Sequence, residues 1–172
     1  MEPSIDPGAL LGTLSDSHLA LYEPADAAEL VVLQRCCWVQ EALANQTLDI
    51  PALHESLTEV EAWAASWVTV VLRHRGRLVG AVRGRQEKTH WHVGRLMIAP
   101  DLAGRGLGTA LLRLIESCAP ADITQFVLFT GARSLRNHRT YERAGYRLSS
   151  SDDLGEVPGH LAGAVVMTRS VD

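Results

Sequence analysis

The feature that most constrains the fold is a glycine-rich turn between an apolar strand pattern and an apolar helical pattern. The strand pattern is THWHVGRLMIA, and the helical pattern follows the turn and ends near Cys118. Between them, Gly104, Gly106 and Gly108 occupy alternate positions. Glycine adopts positive φ readily and leaves no Cβ, so a ligand can approach its backbone closely. Because the first N–H groups of a helix are unpaired and its dipole favours negative charge, the sequence predicts a phosphate-binding turn.

Two well-known phosphate loops can be compared with this turn, and neither matches it. The nucleotide P-loop requires Gly-Lys-Ser/Thr, whereas Gly108 is followed by Thr109 and Ala110. A dinucleotide fingerprint that starts at Gly104 would need its last glycine at Thr109. That fingerprint also follows the first strand of a parallel unit, whereas this turn follows an antiparallel meander. A glycine-rich connection without any ligand is the remaining structural alternative.

Periodicity and turn residues predict one sheet flanked by helices. A first strand, HLALYEP, precedes two helices, PADAAELVVLQRCCWVQEAL and SLTEVEAWAASW, which the loop NQTLDIPALH separates. Three strands follow, WVTVVLRH, RLVGAVRGR and THWHVGRLMIA, joined by hairpins at residues 75–76 and 86–88. After the glycine turn and its helix come the strand DITQFVLFTG, the helix SLRNHRTYERAG and the strands YRLSS and AGAVVMTRS.

This order, β-α-α-β-β-β-α-β-α-β-β, predicts an α/β (α+β) fold with a mixed, mostly antiparallel central sheet. One parallel step crosses the helix after the glycine turn, whose spacing predicts a buried stripe of Leu107, Leu111, Leu114 and Ile115. We expect a flexible N-terminal arm at residues 1–16 and a single domain over residues 17–172. The expected helix caps are Asp26, the Ser56–Glu59 capping box, Ser134 and Gly145.

The composition excludes several classes of protein. With 172 residues, of which 47% are hydrophobic, the chain can bury a core and is not expected to be disordered. A net charge of -4 argues against nucleic-acid binding. MEPSIDPGALLGTL lacks the basic start of a signal peptide and no apolar run spans a bilayer, so we expect a cytoplasmic protein without a membrane partner. Cys36, Cys37 and Cys118 lack metal-ligand spacing, so we expect reduced thiols and no metal.

Two motifs in order resemble those of the GNAT superfamily, the acyl-CoA-dependent N-acyltransferases. IAPDLAGRGLGTALL resembles the pyrophosphate motif Gln/Arg-x-x-Gly-x-Gly/Ala, with Gly106 and Gly108 at the last two positions and Ala103 as a departure at the first. LFTGARSLRNHRTYERAGYRL resembles the fifth strand and fourth helix of that family. Its hallmark residues are Ser134, Asn137, Tyr141 and the pair Gly145–Tyr146. The resemblance covers the chain from about residue 18 to its end.

The resemblance implies that the cofactor is acetyl-CoA, used as an acyl donor, and that backbone groups of one strand and the glycine turn hold it. Arg105 supplies positive charge beside the turn, and arginines of the later helix add more. The implied CoA-binding residues are Leu96, Met97, Ile98, Gly104, Arg105, Gly106, Leu107, Gly108, Thr109, Ser134, Asn137, Tyr141 and Arg143. Ser134, Asn137 and Tyr141 are spaced by three and four, so they share one helical face.

The implied chemistry is transfer of the acetyl group to a primary amine by direct attack, since no cysteine stands at a recognised nucleophile position. Tyr141 is the candidate acid for the leaving thiolate. The acceptor amine has a pKa near 10.4 and must lose a proton before it attacks, which requires a base. His92 stands where many family members have a glutamate, and Glu41 is the other candidate.

The acceptor is not identified by any motif. Trp38, Trp63 and Trp67 lie in the two helices that shape the acceptor pocket in this family, and the loop SSSDDLGEVPGH carries acids that would attract an amine. A small amine or amino-acid-like molecule is the expected acceptor. Three alternatives stay open: a protein N-terminal or lysine acetyltransferase, a CoA-binding module without catalysis, and an ordinary nucleotide-binding domain. The family resemblance also admits a homodimer.

Overall fold

The computed structural model describes residues 14–149 and 163–171 as one seven-stranded sheet flanked by helices. The strands are β1 Ser17–Leu21, β2 Val68–His74, β3 Arg77–Glu87, β4 His90–Ile98, β5 Gln125–Gly131, β6 Arg147–Ser149 and β7 Ala164–Ser170. The helices are α1 Ala27–Asn45, α2 Pro51–His54, α3 Leu57–Ser66, α4 Leu107–Ser117 and α5 Leu135–Arg143, with 3-10 turns at Pro24–Asp26 and Pro100–Leu102. Among these residues, no helix is both long and apolar enough to cross a membrane.

The sheet has the strand order β1-β2-β3-β4-β5-β7-β6. Its one parallel pair is β4 with β5, across helix α4, and every other neighbouring pair in the described sheet is antiparallel. The predicted mixed, mostly antiparallel sheet is therefore confirmed. Strand β7 lies between β5 and β6, and β1 and β6 are the edge strands of the described sheet.

Strands β4 and β5 separate along their length. They pair only from His90–Val93 against Gln125–Leu128, whereas β3 follows β4 to Ile98 and β7 follows β5 to Gly131. The backbone groups on the β5 side of residues 94–98 therefore have no strand partner. This separation opens the sheet beside the glycine turn, which begins directly after β4.

A β-bulge interrupts the pairing of β3 with β4. Ala81 lies opposite Met97 and Arg83 opposite Gly94, so two β4 residues face Val82 alone. One of them, Arg95, has φ +49, in the left-handed region that few non-glycine residues adopt. A bulge bends the strand and redirects side chains, and bulges are frequent next to active sites.

Local predictions are mostly confirmed, and the corrections concern the second hairpin, the loop before α3, and the caps at Asp26 and Ser134. The α4 stripe is buried as predicted, and Ser56 and Glu59 form the expected capping box. The second hairpin turn lies at residues 88–89 rather than 86–88, because β3 extends to Glu87. Helix α2 begins at Pro51 inside the segment expected to be a loop, since proline suits a first helical position. Asp26 precedes α1, but its carboxylate accepts from the N–H of Glu23 and pairs with Arg73 instead of capping the helix.

Candidate active site

A cavity of about 330 Å³ lies where β4 and β5 separate. Its wall is built mainly from α1, β4, β5 and α5, with Arg83 of β3, and it reaches the glycine turn through Ala103 and Gly108. Elements from distant parts of the sequence meet here because the parallel crossover through α4 places β5 beside β4. The cavity is therefore the place where the predicted cradle and the predicted catalytic residues can act on one molecule.

The glycine turn has the backbone geometry of an anion cradle. Gly104 and Gly106 have φ values of +80 and +79, and a Cβ built on either would meet no atom within 4 Å. Gly106 is the N-cap of α4 and supplies no side chain to its N–H groups. Within the described chain, the backbone N–H groups from Gly104 to Thr109 donate to no other backbone group. The turn thus offers unpaired donors, open space and a helix N-terminus, which together fit a pyrophosphate.

The three strand residues expected to bind the donor point in different directions. Leu96 and Ile98 line the cavity, whereas Met97 is 1% exposed and belongs to the core. The Cys37 thiol also lines the cavity and donates to the carbonyl oxygen of Ile98 at 3.3 Å. Burial raises the pKa of Cys37 to about 12, so this thiol stays protonated at neutral pH and is a poor nucleophile.

Tyr141 lies in the cavity wall with an available hydroxyl. Its ring meets the edge of Tyr146 with centroids 6.1 Å apart, and its oxygen makes no hydrogen bond to any described residue. Burial, followed by the negative charge of Glu41, raises the pKa of Tyr141 above its usual value of 10.0. The hydroxyl therefore keeps its proton through the neutral range and is available to donate a hydrogen bond to a negative charge that forms beside it.

Glu41 joins helix α1 to the start of α5. Asn137 Nδ2 donates to Glu41 Oε1 at 2.9 Å, and the Ser134 hydroxyl donates to Glu41 Oε2 in a short hydrogen bond. Asn45 Nδ2 donates to Ser134 Oγ at 2.9 Å, and Asn45 Oδ1 accepts from the N–H of Arg133 at 3.1 Å. These hydrogen bonds among Glu41, Asn45, Ser134 and Asn137 form a clamp between α1 and α5. Ser134 is at the N-cap position of α5, but its hydroxyl takes part in the clamp and does not cap the helix. Sequence reasoning assigned Ser134 and Asn137 to CoA and did not find the clamp.

His92 is placed apart from the cavity wall. It is 5% exposed, does not line the cavity, and its Nε2 lies 3.6 Å from Glu87 Oε2 on the same hairpin. Burial lowers the pKa of His92. Of the two predicted bases, Glu41 is the one that borders the cavity.

Some of the other predicted site residues lie in the cavity wall, and others lie away from it. Arg143 is exposed and does not line the cavity, whereas Arg136, one helical turn before Thr140, does. Arg105 is exposed beside the glycine turn. The acidic residues Asp152, Asp153 and Glu156 lie outside the described residues.

Two buried arginines in the cavity wall were missed by sequence reasoning. Arg83 on β3 and Arg95 on β4 are each 8% exposed. The Arg83 guanidinium lies 4.5 Å from the Trp63 ring and 4.1 Å from the Trp67 ring, and Arg95 forms a short ion pair with Glu55. The available signal was an arginine within each of two apolar strand patterns, GAVRGR and HVGRLM, since charged residues are rarely buried without a partner.

Comparison with known proteins agrees with this geometry. Residues 30–146 match the family model of the acetyltransferase (GNAT) family. The chain belongs to the GNAT acetyltransferase family. The match begins in α1 and ends at Tyr146, so it includes the glycine turn, both strands that separate, and helix α5.

Individual relatives are distant in sequence. N-acetylaspartate synthetase of Danio rerio is 28% identical over 128 residues, which are 69% of this chain and 42% of that protein, so the chain spans less than half of this curated relative. An acetyltransferase structure from Streptococcus agalactiae has a TM-score of 0.73 at 20% identity, covering 92% of this chain and 100% of that one. N-acetylglutamate synthase from Neisseria gonorrhoeae, complexed with coenzyme A and N-acetyl-glutamate, has a TM-score of 0.70 at 17% identity, covering 91% of this chain and 35% of that one. These structural similarities confirm the fold.

Proposed function

We propose that the protein transfers an acetyl group from acetyl-CoA to the primary amine of an amino-acid-like acceptor. The observation that carries this proposal is one cavity that reaches the glycine turn at Ala103 and Gly108 and has Tyr141, Glu41 and two buried arginines in its wall. Family membership supports the reaction type, and the complex of the Neisseria enzyme with coenzyme A supports the donor.

The donor is proposed to bind by backbone groups. The unpaired N–H groups from Gly104 to Thr109 would hold the pyrophosphate of acetyl-CoA, and Arg105 would add positive charge. The backbone of β4 on the side that β5 leaves open would bind the arm that carries the thioester. A backbone N–H there would stabilise the negative charge that develops on the acetyl oxygen.

In the proposed reaction, the amine nitrogen forms a bond to the acetyl carbon and the carbon–sulfur bond breaks. The amine proton passes to Glu41, directly or through water, and the sulfur receives a proton from Tyr141. The products are an amide and the free thiol of CoA. Glu41 is preferred to His92 as the base because it borders the cavity, although its bonds to Ser134 and Asn137 also give it a positioning role.

Direct attack is supported over an acyl-enzyme route. A cysteine nucleophile must ionise, and Cys37, the cysteine in the described cavity wall, has its pKa raised to about 12 by burial. Its thiol is also engaged with the carbonyl oxygen of Ile98. The acetyl group therefore passes from CoA to the amine within a ternary complex.

The chemistry of the described wall supports a small acceptor over a polypeptide. An open acidic groove would suit a cationic peptide, whereas this cavity has Trp38 and three arginines, Arg83, Arg95 and Arg136, in its wall. The relatives named for N-acetylaspartate and N-acetylglutamate suggest an amino acid as the acceptor class.

The test is a screen of amines with acetyl-CoA, monitored by release of free thiol. The panel contains amino acids, simple alkylamines and a lysine-containing peptide. We expect saturable thiol release with amino acids and little with the peptide. Peptide acetylation without amino-acid acetylation would overturn the acceptor class, and CoA binding without any transfer would identify a non-catalytic CoA-binding module.

A further inference from the structure

Arg83 is a buried cation without an anionic partner among the described residues. Its side chain forms no ion pair or hydrogen bond to them, and its Nε is buried without an acceptor. Leaving an unpaired charge in a protein interior costs several kcal/mol by general estimates, so such a group usually serves a ligand or a mechanism. Arg83 also lines the cavity, so a molecule in the cavity can reach it.

The charges around Arg83 leave a positive excess. Glu55 is the nearby carboxylate, but it is already occupied by Arg95, by Gln34 Nε2 at 2.8 Å and by Trp63 Nε1 at 3.1 Å. Besides Glu55, the charged groups that act on Arg83 are two further arginines, Arg95 and Arg85. Burial, with the charge of Arg95 as a second cause, lowers the pKa of Arg83 to about 9. An added carboxylate would relieve this excess.

The surroundings fix the guanidinium rather than neutralise it. Trp63 and Trp67 lie against it, and aromatic faces hold a guanidinium without using its hydrogen-bond donors. On the neighbouring strand, Gly94 leaves room for it, since a Cβ at Gly94 would lie 3.1 Å from Arg83 Nε. The bulge at Arg95 brings the second guanidinium to the same cavity wall. A planar fork held in this way is suited to two parallel hydrogen bonds to one carboxylate.

We propose that Arg83 binds a carboxylate of the acceptor, with Arg95 contributing positive charge beside it. The inference rests on the proposed function and deepens it, because it makes the acceptor an amine that also carries a carboxylate. The carboxylate binds at Arg83 and thereby presents the amine to the part of the cavity lined by Glu41 and Tyr141. Specificity for amino acids over simple amines follows from this one contact, since an acceptor without the carboxylate leaves Arg83 unpaired.

The experiment compares acceptors that differ only at one carboxylate. The wild-type protein is assayed with amino acids and with the matching carboxamides, in which the carboxylate is replaced by a neutral amide. We expect kcat/KM to be about 10- to 100-fold higher for the acid, the range for hydrogen bonds to charged groups. Equal kcat/KM for acid and amide would overturn the proposal, and no transfer to any amine would overturn the proposed function instead.

Two variants and one control locate the effect. Arg83→Gln removes the charge, and Gly94→Ala keeps it but presses a methyl group against the guanidinium. Both should reduce the acid-to-amide ratio of kcat/KM towards one, and Arg83→Gln should leave the affinity for acetyl-CoA unchanged. Arg85→Gln is the matched control, because Arg85 also stacks on Trp67, at 4.6 Å, but is exposed and does not line the cavity. The assignment would be contradicted if Gly94→Ala left the acid-to-amide ratio unchanged and Arg83→Gln gave the same ratio as Arg85→Gln.

Binding of a carboxylate at Arg83 can be measured without any transfer reaction. N-acetylglycine and its carboxamide are titrated into the protein, and tryptophan fluorescence is recorded, since Trp63 and Trp67 flank Arg83. We expect a saturable change with the acid, a much weaker one with the amide, and none with the acid in Arg83→Gln. Equal responses to the acid in wild type and Arg83→Gln would overturn the carboxylate site whatever the catalytic result.

Discussion

Two neighbouring tyrosines give the sharpest test of the proposed chemistry, because their hydroxyls have different surroundings in the structure. Tyr141 borders the cavity and its hydroxyl has no hydrogen-bond partner among the described residues. Tyr146 is 1% exposed and its hydroxyl donates to Glu116 Oε1 at 2.6 Å, while Arg169 holds the other oxygen at 2.7 Å. Replacing each by phenylalanine removes one oxygen atom and nothing else.

The two substitutions should affect different quantities, kcat in one case and the free energy of unfolding in the other. Tyr141→Phe should lower kcat by about 10²- to 10⁴-fold, the usual contribution of a positioned proton donor. Its free energy of unfolding should change by less than about 1 kcal/mol, since no intramolecular hydrogen bond is lost. Tyr146→Phe should lower the free energy of unfolding by about 1.5–3 kcal/mol, the value for a hydrogen bond to a charged group, and leave kcat unchanged.

The assays are steady-state thiol release, calorimetric titration with acetyl-CoA, and urea unfolding. Tyr141→Phe should reduce kcat far more than it weakens acetyl-CoA binding. The raised pKa of Tyr141 means that its hydroxyl should not ionise below pH 10, so its ionisation should cause no loss of activity in the neutral range. Equal kcat in wild type and Tyr141→Phe would refute its role as the acid.

Three further predictions concern the glycine turn, Glu41 and His92. Gly106→Val should weaken acetyl-CoA binding at least tenfold by calorimetry. Gly76→Val, at a similar positive φ in a distant hairpin, should lower stability alone. Equal acetyl-CoA affinity in wild type and Gly106→Val would refute the cradle. Glu41→Gln should lower kcat about 100-fold or more. Asn45→Ala, which loosens the same clamp, should mainly lower stability. An unchanged kcat in Glu41→Gln would show that Glu41 is a positioning residue and not the base. The free energy of unfolding, measured with urea, should fall less in His92→Gln than in wild type when the pH is lowered from 7.5 to 5. The reason is that burial lowers the pKa of His92 in the folded protein, so the unfolded state binds a proton more readily and is favoured as the pH falls. Identical decreases in the two proteins would contradict this prediction.

The fold was largely predictable because its signals are local. The stripe through Leu107, Leu111, Leu114 and Ile115 requires only helical periodicity, and all four residues are buried. The turn at Arg75–Gly76 requires two residues with positive φ, and the structure has φ +50 and +81 there. The glycine turn likewise depends on backbone properties that the residue type itself determines.

The side chains of the site were harder to predict because their partners are distant in sequence. Glu41 meets Ser134 and Asn137 only after the sheet has formed, and no spacing rule relates those positions. The bulge that displaces Arg95 depends on the register between β3 and β4, which alternation in one strand does not reveal. Burial of His92 away from the cavity depends on the same pairing.

We propose that acetyl-CoA and a carboxylate-bearing amine react in this cavity. The decisive experiment incubates the protein with acetyl-CoA and a mixture of amino acids, and identifies acetylated products by mass spectrometry alongside released thiol. We expect an N-acetylated amino acid in a one-to-one ratio with free CoA, and the loss of both in Gly106→Val. Thiol release without an acetylated amino acid, or acetylated product undiminished in Gly106→Val, would contradict it.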